Sequence, residues 1–130
     1  MKLIVNIDVP ELSGAIQFYT AALGLQHTRT LDDDTAELTG RDATIYLLKK
    51  PAGAKAAKGS GDKRHYGRHW TPVHMDFVVD DVLAAADRAV AAGAERESEL
   101  IEWRGSKCIT LSDPYGHGFC VIEFEGEGYR

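Results

Sequence analysis

His74 and Asp76 lie two residues apart in His74-Met75-Asp76-Phe77-Val78-Val79, a run that reads as a strand, so both side chains point to one face. A carboxylate beside an imidazole raises its basicity and orients it, which is the arrangement used in general acid/base chemistry. The plainer reading, and the one we favour, is a histidine satisfied by its neighbouring aspartate with no reaction attached. Cys120 is the other candidate. Beside an imidazole it would serve as a reactive thiolate; otherwise it is a small apolar core residue, the usual state of a free cysteine. Trp70 and Trp103 stand outside the strand cores. Either would wall a flat or cationic ligand, or pack at a strand end or a dimer contact.

The elements that must position these residues occur twice. One copy runs from Ile4-Val5-Asn6-Ile7-Asp8-Val9 through Glu11-Leu12-Ser13 to Leu23-Gly24-Leu25; the other runs from His74 through Asp80-Asp81-Val82 to Ala92-Gly93-Ala94. Each copy is an apolar strand, an acidic helix start, an amphipathic helix and a glycine stop. Leu12, Ile16, Tyr19 and Leu23 repeat at helical spacing in the first copy, and Asp80 or Asp81 caps an Ala-rich helix in the second. Strands follow at 26–30, 35–39 and 43–48, and again at 95–100, 107–111 and 119–124, with turns at Asp32-Asp33-Asp34 and Arg104-Gly105-Ser106. The layout is βαβββ, loop, βαβββ, which predicts two four-stranded sheets, each with one face under its helix.

The chain of 130 residues carries a net charge of −5, which disfavours nucleic acid as a partner. No apolar run approaches the ~20 residues of a membrane span, and the N-terminus is too soon polar for a signal peptide. A cytoplasmic protein is expected, and the two cysteines, Cys108 and Cys120, form no disulfide framework. Were the strands around Asp113-Pro114 to pair with Leu111 opposite Cys120 and Cys108 opposite Glu123, the thiols would be too far apart to bridge. Pro51 to Trp70 holds four glycines, four alanines and many cations, among them Lys55, Lys63, Arg64 and Arg68. It is read as a solvated, flexible loop, with an anion-clamping lid as the sharper alternative.

Three motifs carry a resemblance that covers nearly the whole chain. They are Glu11-Leu12-Ser13 through Phe18-Tyr19 to Leu23-Gly24-Leu25, His74-x-x-x-Val78-Val79-Asp80-Asp81-Val82, and Asp113-Pro114-x-Gly116-x-x-Phe119-Cys120. In this order the chain resembles the vicinal oxygen chelate superfamily, which includes glyoxalase I, bleomycin-resistance proteins and extradiol dioxygenases. The resemblance implies that metal-dependent members hold a divalent ion through four inward strand residues, usually His, Glu or Gln. By position these fall on Ile4, on or near Tyr46, on His74 and on Cys120. Ile4 coordinates nothing, so no cofactor is expected, and a divalent metal is disfavoured; His74 is the one ligand if any. With those four residues facing a cavity, alternation adds Asn6, Asp8, Thr44, Leu48, Asp76 and Ile122 to its lining. There Tyr46 either donates a hydrogen bond to a ligand or fills space.

The expectation is a single α+β domain whose two βαβββ modules, about 1–50 and 71–126, form a pseudo-symmetric curved mixed sheet around a cleft. The basic loop at about 51–70 joins them, and a polar tail follows at 127–130. The resemblance implies a homodimer that binds a small molecule in the inter-module cleft without a metal, as bleomycin-resistance proteins do. His74, Asp76 and Cys120 are the candidates for chemistry, and Asn6, Tyr46, Trp70, Trp103 and Ile122 for ligand contact. The alternative is a glyoxalase-like lyase or isomerase, or a dioxygenase, with an atypical site centred on His74.

Overall fold

A computed structural model describes residues 1–126; the polar tail at 127–130 lies outside the described residues. The chain forms two compact units, Met1–Gly67 and a second beginning at Arg68. The first unit contains β1 (Val5–Val9), α1 (Leu12–Leu23), β2 (Gln26–Leu31), β3 (Thr35–Thr39) and β4 (Thr44–Lys49). The second contains β5 (Met75–Val78), α2 (Val82–Ala92), β6 (Glu95–Arg96), β7 (Ile101–Trp103), β8 (Ser106–Ser112) and β9 (Gly118–Phe124). Both sheets are open and mixed, so the α+β architecture read from the repeats stands.

In the first sheet the order is β1-β4-β3-β2, with β1 and β4 parallel and the other pairs antiparallel. Alternation sorts its residues. Ile7, Val9, Ala36, Leu38, Ile45 and Leu47 are buried on the face under α1. The helix contributes Ala15, Phe18, Tyr19 and Ala22 to that core, whereas Leu12, Ile16 and Leu23 are only half-buried. Of the stripe expected from spacing, Tyr19 alone is buried, because Ala15, Phe18 and Ala22 take the rest of the core face. Glu11 caps α1 by accepting from the Gly14 amide, and Gly24, at φ 68°, ends it in the left-handed conformation that glycine adopts without steric cost.

The segment after β4 is folded on itself. The Gly53 amide donates to the Arg64 carbonyl, the Arg64 amide to Ala54, and the Ala56 amide to Asp62, with a bridge between Lys55 and Lys63. Arg64 Nε then donates to Asp8 Oδ2 of β1 at 2.5 Å, and the Tyr66 hydroxyl donates to the Lys50 carbonyl. One cation of the basic loop thus anchors that loop to the sheet.

In the second sheet the order is β5-β9-β8, with β6 and β7 sharing the outer edge of β8. Five strands stand where four were expected, because the edge position is filled in two pieces. Ile109, Leu111, Phe119 and Val121 are buried, as are Val82, Ala86 and Ala89 of α2. Asp81 caps α2 through the Ala84 amide, and Glu123 reaches from β9 to accept from the Val82 amide. That contact places Glu123 on the helix side of β9, opposite Cys120 and Ile122, as strand parity requires.

The β8–β9 register differs from the expected one by a single residue. Thr110 lies opposite Cys120 and Cys108 opposite Ile122, and the ladder begins at Ser112 and Gly118. Asp113 sets this: its amide donates to the His117 carbonyl, and its Oδ1 accepts from the Tyr115 and His117 amides. The turn is closed at Asp113 and His117. The one-residue shift moves Cys108 and Thr110 onto the same face as Cys120.

Candidate functional site

The face of the second sheet turned away from α2 gathers most of the residues singled out from the sequence. Asp76 of β5 is the register partner of Cys120 in β9, and Val78 is the partner of Ile122. His74 precedes β5 by one residue and, two before Asp76, shares its face. His74 Nε2 lies 3.2 Å from Asp76 Oδ1. One donor atom each from His74, Asp76 and Cys120 falls within 4.8 Å of the others. The His74 and Asp76 side chains are 43% and 39% exposed, so solutes reach them, while Cys120 is buried beneath.

Around this trio the second unit supplies a frame. Trp70 sets its ring edge-on to the His74 ring, with centroids 5.5 Å apart, and Arg68 lays its guanidinium 4.5 Å from the Trp70 ring centroid. A Cβ on Gly118 would stand 2.7 Å from three carbons of the Trp70 ring, so only glycine leaves room for the indole there. Arg68 is held in turn by Glu97, which accepts from both Nε and Nη2. Bonds from Arg68, and further ones from Ser112 and Trp70, lower the Glu97 carboxyl to about 2. From the sequence Arg68 is one cation of the basic loop and Glu97 carries no assignment; a cation before Trp70 and an acid in a short connector carry no local signal of their pairing.

Cys120 does not stand alone. Its Sγ is 3.6 Å from Thr110 Oγ1, and the Cys108 thiol is within hydrogen-bonding reach. The expected register is corrected: with Cys108 opposite Ile122 and Thr110 opposite Cys120, the two cysteines are diagonal neighbours on one face rather than on opposite faces. Both cysteines are free. Burial pushes the Cys120 thiol up, and burial foremost, with the adjoining Cys120, pushes Cys108 up to about 12. These surroundings keep the sulfurs protonated and weaken the nucleophilic reading of Cys120.

The remaining candidates are placed elsewhere. Asn6 and Tyr46 belong to the first unit, where they are register partners across β1 and β4, just as Asp76 and Cys120 are across β5 and β9. The Tyr46 hydroxyl donates to Glu37 Oε2, and Thr28 and Arg29 bond the same carboxylate, so Glu37 is lowered to about 2, with the Tyr46 bond the foremost cause. Trp103 pairs with Ser106, which lies opposite Phe124. That is four residues beyond Cys120, or about 13 Å along β9. Trp103 instead lines a separate pocket of about 250 Å³ with Glu102, Lys107 and Glu125, and shares no wall with Trp70.

The metal set implied by the resemblance does not fit these residues. Ile4 precedes β1, is 46% exposed and carries no donor atom. The Tyr46 hydroxyl is already committed to Glu37. Only His74 and Cys120 of the four positions bring donors of nitrogen or sulfur.

The model of a glyoxalase-like domain matches residues 4–122. An anthracycline biosynthesis protein, DauV, from Streptomyces sp. (strain C5) is 30% identical over 120 residues. The match takes in 92% of this chain but 40% of that protein, so the chain spans well under half the length of this relative. Among solved structures, the genomically encoded fosfomycin resistance protein FosX from Listeria monocytogenes superposes with a TM-score of 0.72 at 16% identity, over 97% of this chain and 94% of that one. Lactoylglutathione lyase from Agrobacterium tumefaciens gives 0.67 at 19% identity, over 100% and 98%. At these identities the structural matches speak for the fold.

Proposed function

The chain belongs to the glyoxalase-like domain family, and on that premise we propose that it binds a small molecule without the four-residue metal set of its metal-dependent relatives. The observation that carries this is the His74–Asp76 pair, open to solvent beside Trp70 on a sheet face floored by Cys120 and Ile122. Such a patch has the mixture expected of a ligand site: an apolar floor, one aromatic wall and a few polar groups that set orientation. With Nε2 engaged by Asp76, Nδ1 is the ring nitrogen left to meet a ligand. The Asp76 carboxylate and the net charge of −5 favour a cationic ligand, and the Trp70 ring beside His74 an aromatic one. An anthracycline is the first probe, after the name of the DauV relative.

Tryptophan fluorescence of chelator-stripped protein tests the reading. Saturable quenching by the probe is expected to survive added chelator and to weaken about tenfold in His74→Ala, the loss of one ligand hydrogen bond. Binding that chelator abolishes, or that both His74→Ala and Asp76→Asn leave at full strength, overturns it. A second reading rests on the 3.2 Å contact itself: Asp76 orients His74 as a general base in a lyase or isomerase reaction. Self-association into a homodimer is part of the proposal, supported by exposed Leu3, Ile4, Val73 and Val78.

A further inference from the structure

We propose that His74, Asp76 and Cys120 form a three-ligand site for a thiophilic divalent ion, zinc or cadmium, lying wholly within the second unit. It goes beyond the small-molecule reading and differs from the four-residue set that the chain lacks. Neither Ile4 nor Tyr46 takes part, and Asp76, which has no place in that set, supplies a ligand.

The backbone does most of the positioning. Asp76 and Cys120 are register partners in the parallel β5–β9 pair, and His74 is two residues upstream of Asp76 on the same face. Their donor atoms therefore stand within 4.8 Å of one another, and His74 Nε2 and Asp76 Oδ1 within 3.2 Å. A tetrahedral zinc with bonds of about 2.0–2.3 Å holds its donors roughly 3.3–3.7 Å apart. Closing the trio on an ion needs side-chain movement of about 1 Å, with no change of register. The nitrogen and carboxylate lie at the exposed rim and the sulfur at the buried floor, so an ion enters from solvent and meets the Cys120 thiol last, which releases its proton to solvent as the sulfur binds.

The surroundings suit that ion. Trp70 packs against the His74 ring, and Thr110 Oγ1 contacts Cys120 Sγ, so two of the three ligands have a partner that orients them. The adjoining Cys108 places further sulfur beside the floor. One sulfur, one imidazole and one carboxylate favour zinc or cadmium over magnesium, calcium or manganese, which prefer oxygen. Three protein ligands leave the fourth tetrahedral position to water.

The test is titration of tag-free, chelator-stripped full chain with Co²⁺ as a spectroscopic probe and with Zn²⁺ by calorimetry. Expected are one ion per chain, a sulfur-to-cobalt charge-transfer band, and displacement of cobalt by zinc. Cys120→Ser should remove the band, and Asp76→Asn, a change at a half-exposed side chain, should weaken zinc by about tenfold or more. Ile4→Ala and Tyr46→Phe should bind as the parent does, with circular dichroism confirming that each variant is folded. Absence of the band in the parent, its persistence in folded Cys120→Ser, or equal loss in Tyr46→Phe overturns the proposal. None of these readouts involves an organic ligand, so failure here leaves the small-molecule reading to its own test.

Discussion

At the residue scale, chemistry here depends on partners that are distant in sequence. Asp76 could be assigned to His74 from spacing alone, because two residues along a strand share a face. The clamp from Arg68 to Glu97 could not, and it carries a pH dependence with a definite sign. Bonds from Arg68 lower Glu97 from 4.5 to about 2. A carboxyl lowered in the folded state contributes stability that is complete above its unfolded value and lost as pH falls through its folded one. Denaturant melts between pH 5 and 2 should therefore show stability falling across that window, with a shallower fall in Glu97→Gln. Equal slopes in parent and variant would show that the pair contributes nothing in solution. Loss of the Glu97 carboxylate leaves the Arg68 guanidinium over Trp70 with its bonds to the His69 and Gly116 carbonyls but without its charge partner, so the indole emission of Glu97→Gln should shift even at neutral pH.

At the element scale, the β8–β9 turn decides what the open face contains. Asp113 is buried and accepts two backbone amides with one carboxylate oxygen. Charge-assisted bonds of this kind are each worth about 1.5–3 kcal/mol. Asp113→Ala should cost roughly 2–4 kcal/mol in chemical denaturation, since two half-buried donors lose their acceptor. Asp113→Asn should recover part of that, because the amide oxygen still accepts. A cost below about 0.5 kcal/mol, the level of an ordinary surface change, would contradict this account. The strands themselves were legible as alternating runs, and the helices as caps and glycine stops. Their register was not: moving the ladder from Leu111 opposite Cys120 to Thr110 opposite Cys120 exchanges every residue between faces. That single step hid Cys108 and Thr110 from the sequence reading.

At the scale of the whole molecule, two proposed occupants meet at the same imidazole. A small molecule that accepts or donates at His74 and a thiophilic ion bound through His74 cannot share its ring. Saturating zinc should therefore shift the fluorescence titration of the organic probe to at least about tenfold weaker apparent binding, as mass action on a shared site requires. Cys120→Ser should remove that antagonism while leaving probe binding in place. An unchanged titration in zinc-saturated protein would mean that ion and ligand occupy separate places. No helix among the described residues is long and apolar enough to cross a membrane.

The sequence by itself determined the duplicated βαβββ plan, the acidic helix starts and the stop at Gly24, because periodicity, caps and glycines act locally, while the structure singled out Glu11 and, of Asp80 and Asp81, Asp81 as the caps. It also determined that Ile4 brings no donor to a metal, since that is a matter of side-chain identity. Tertiary structure alone decided that Cys108 lies beside Cys120, that Trp70 rather than Trp103 stands at His74, and that Arg68 is clamped by Glu97. These contacts follow from strand register and from the return of the chain over long separations. A buried aspartate in a turn sets that register, and no local pattern of residue types reports it.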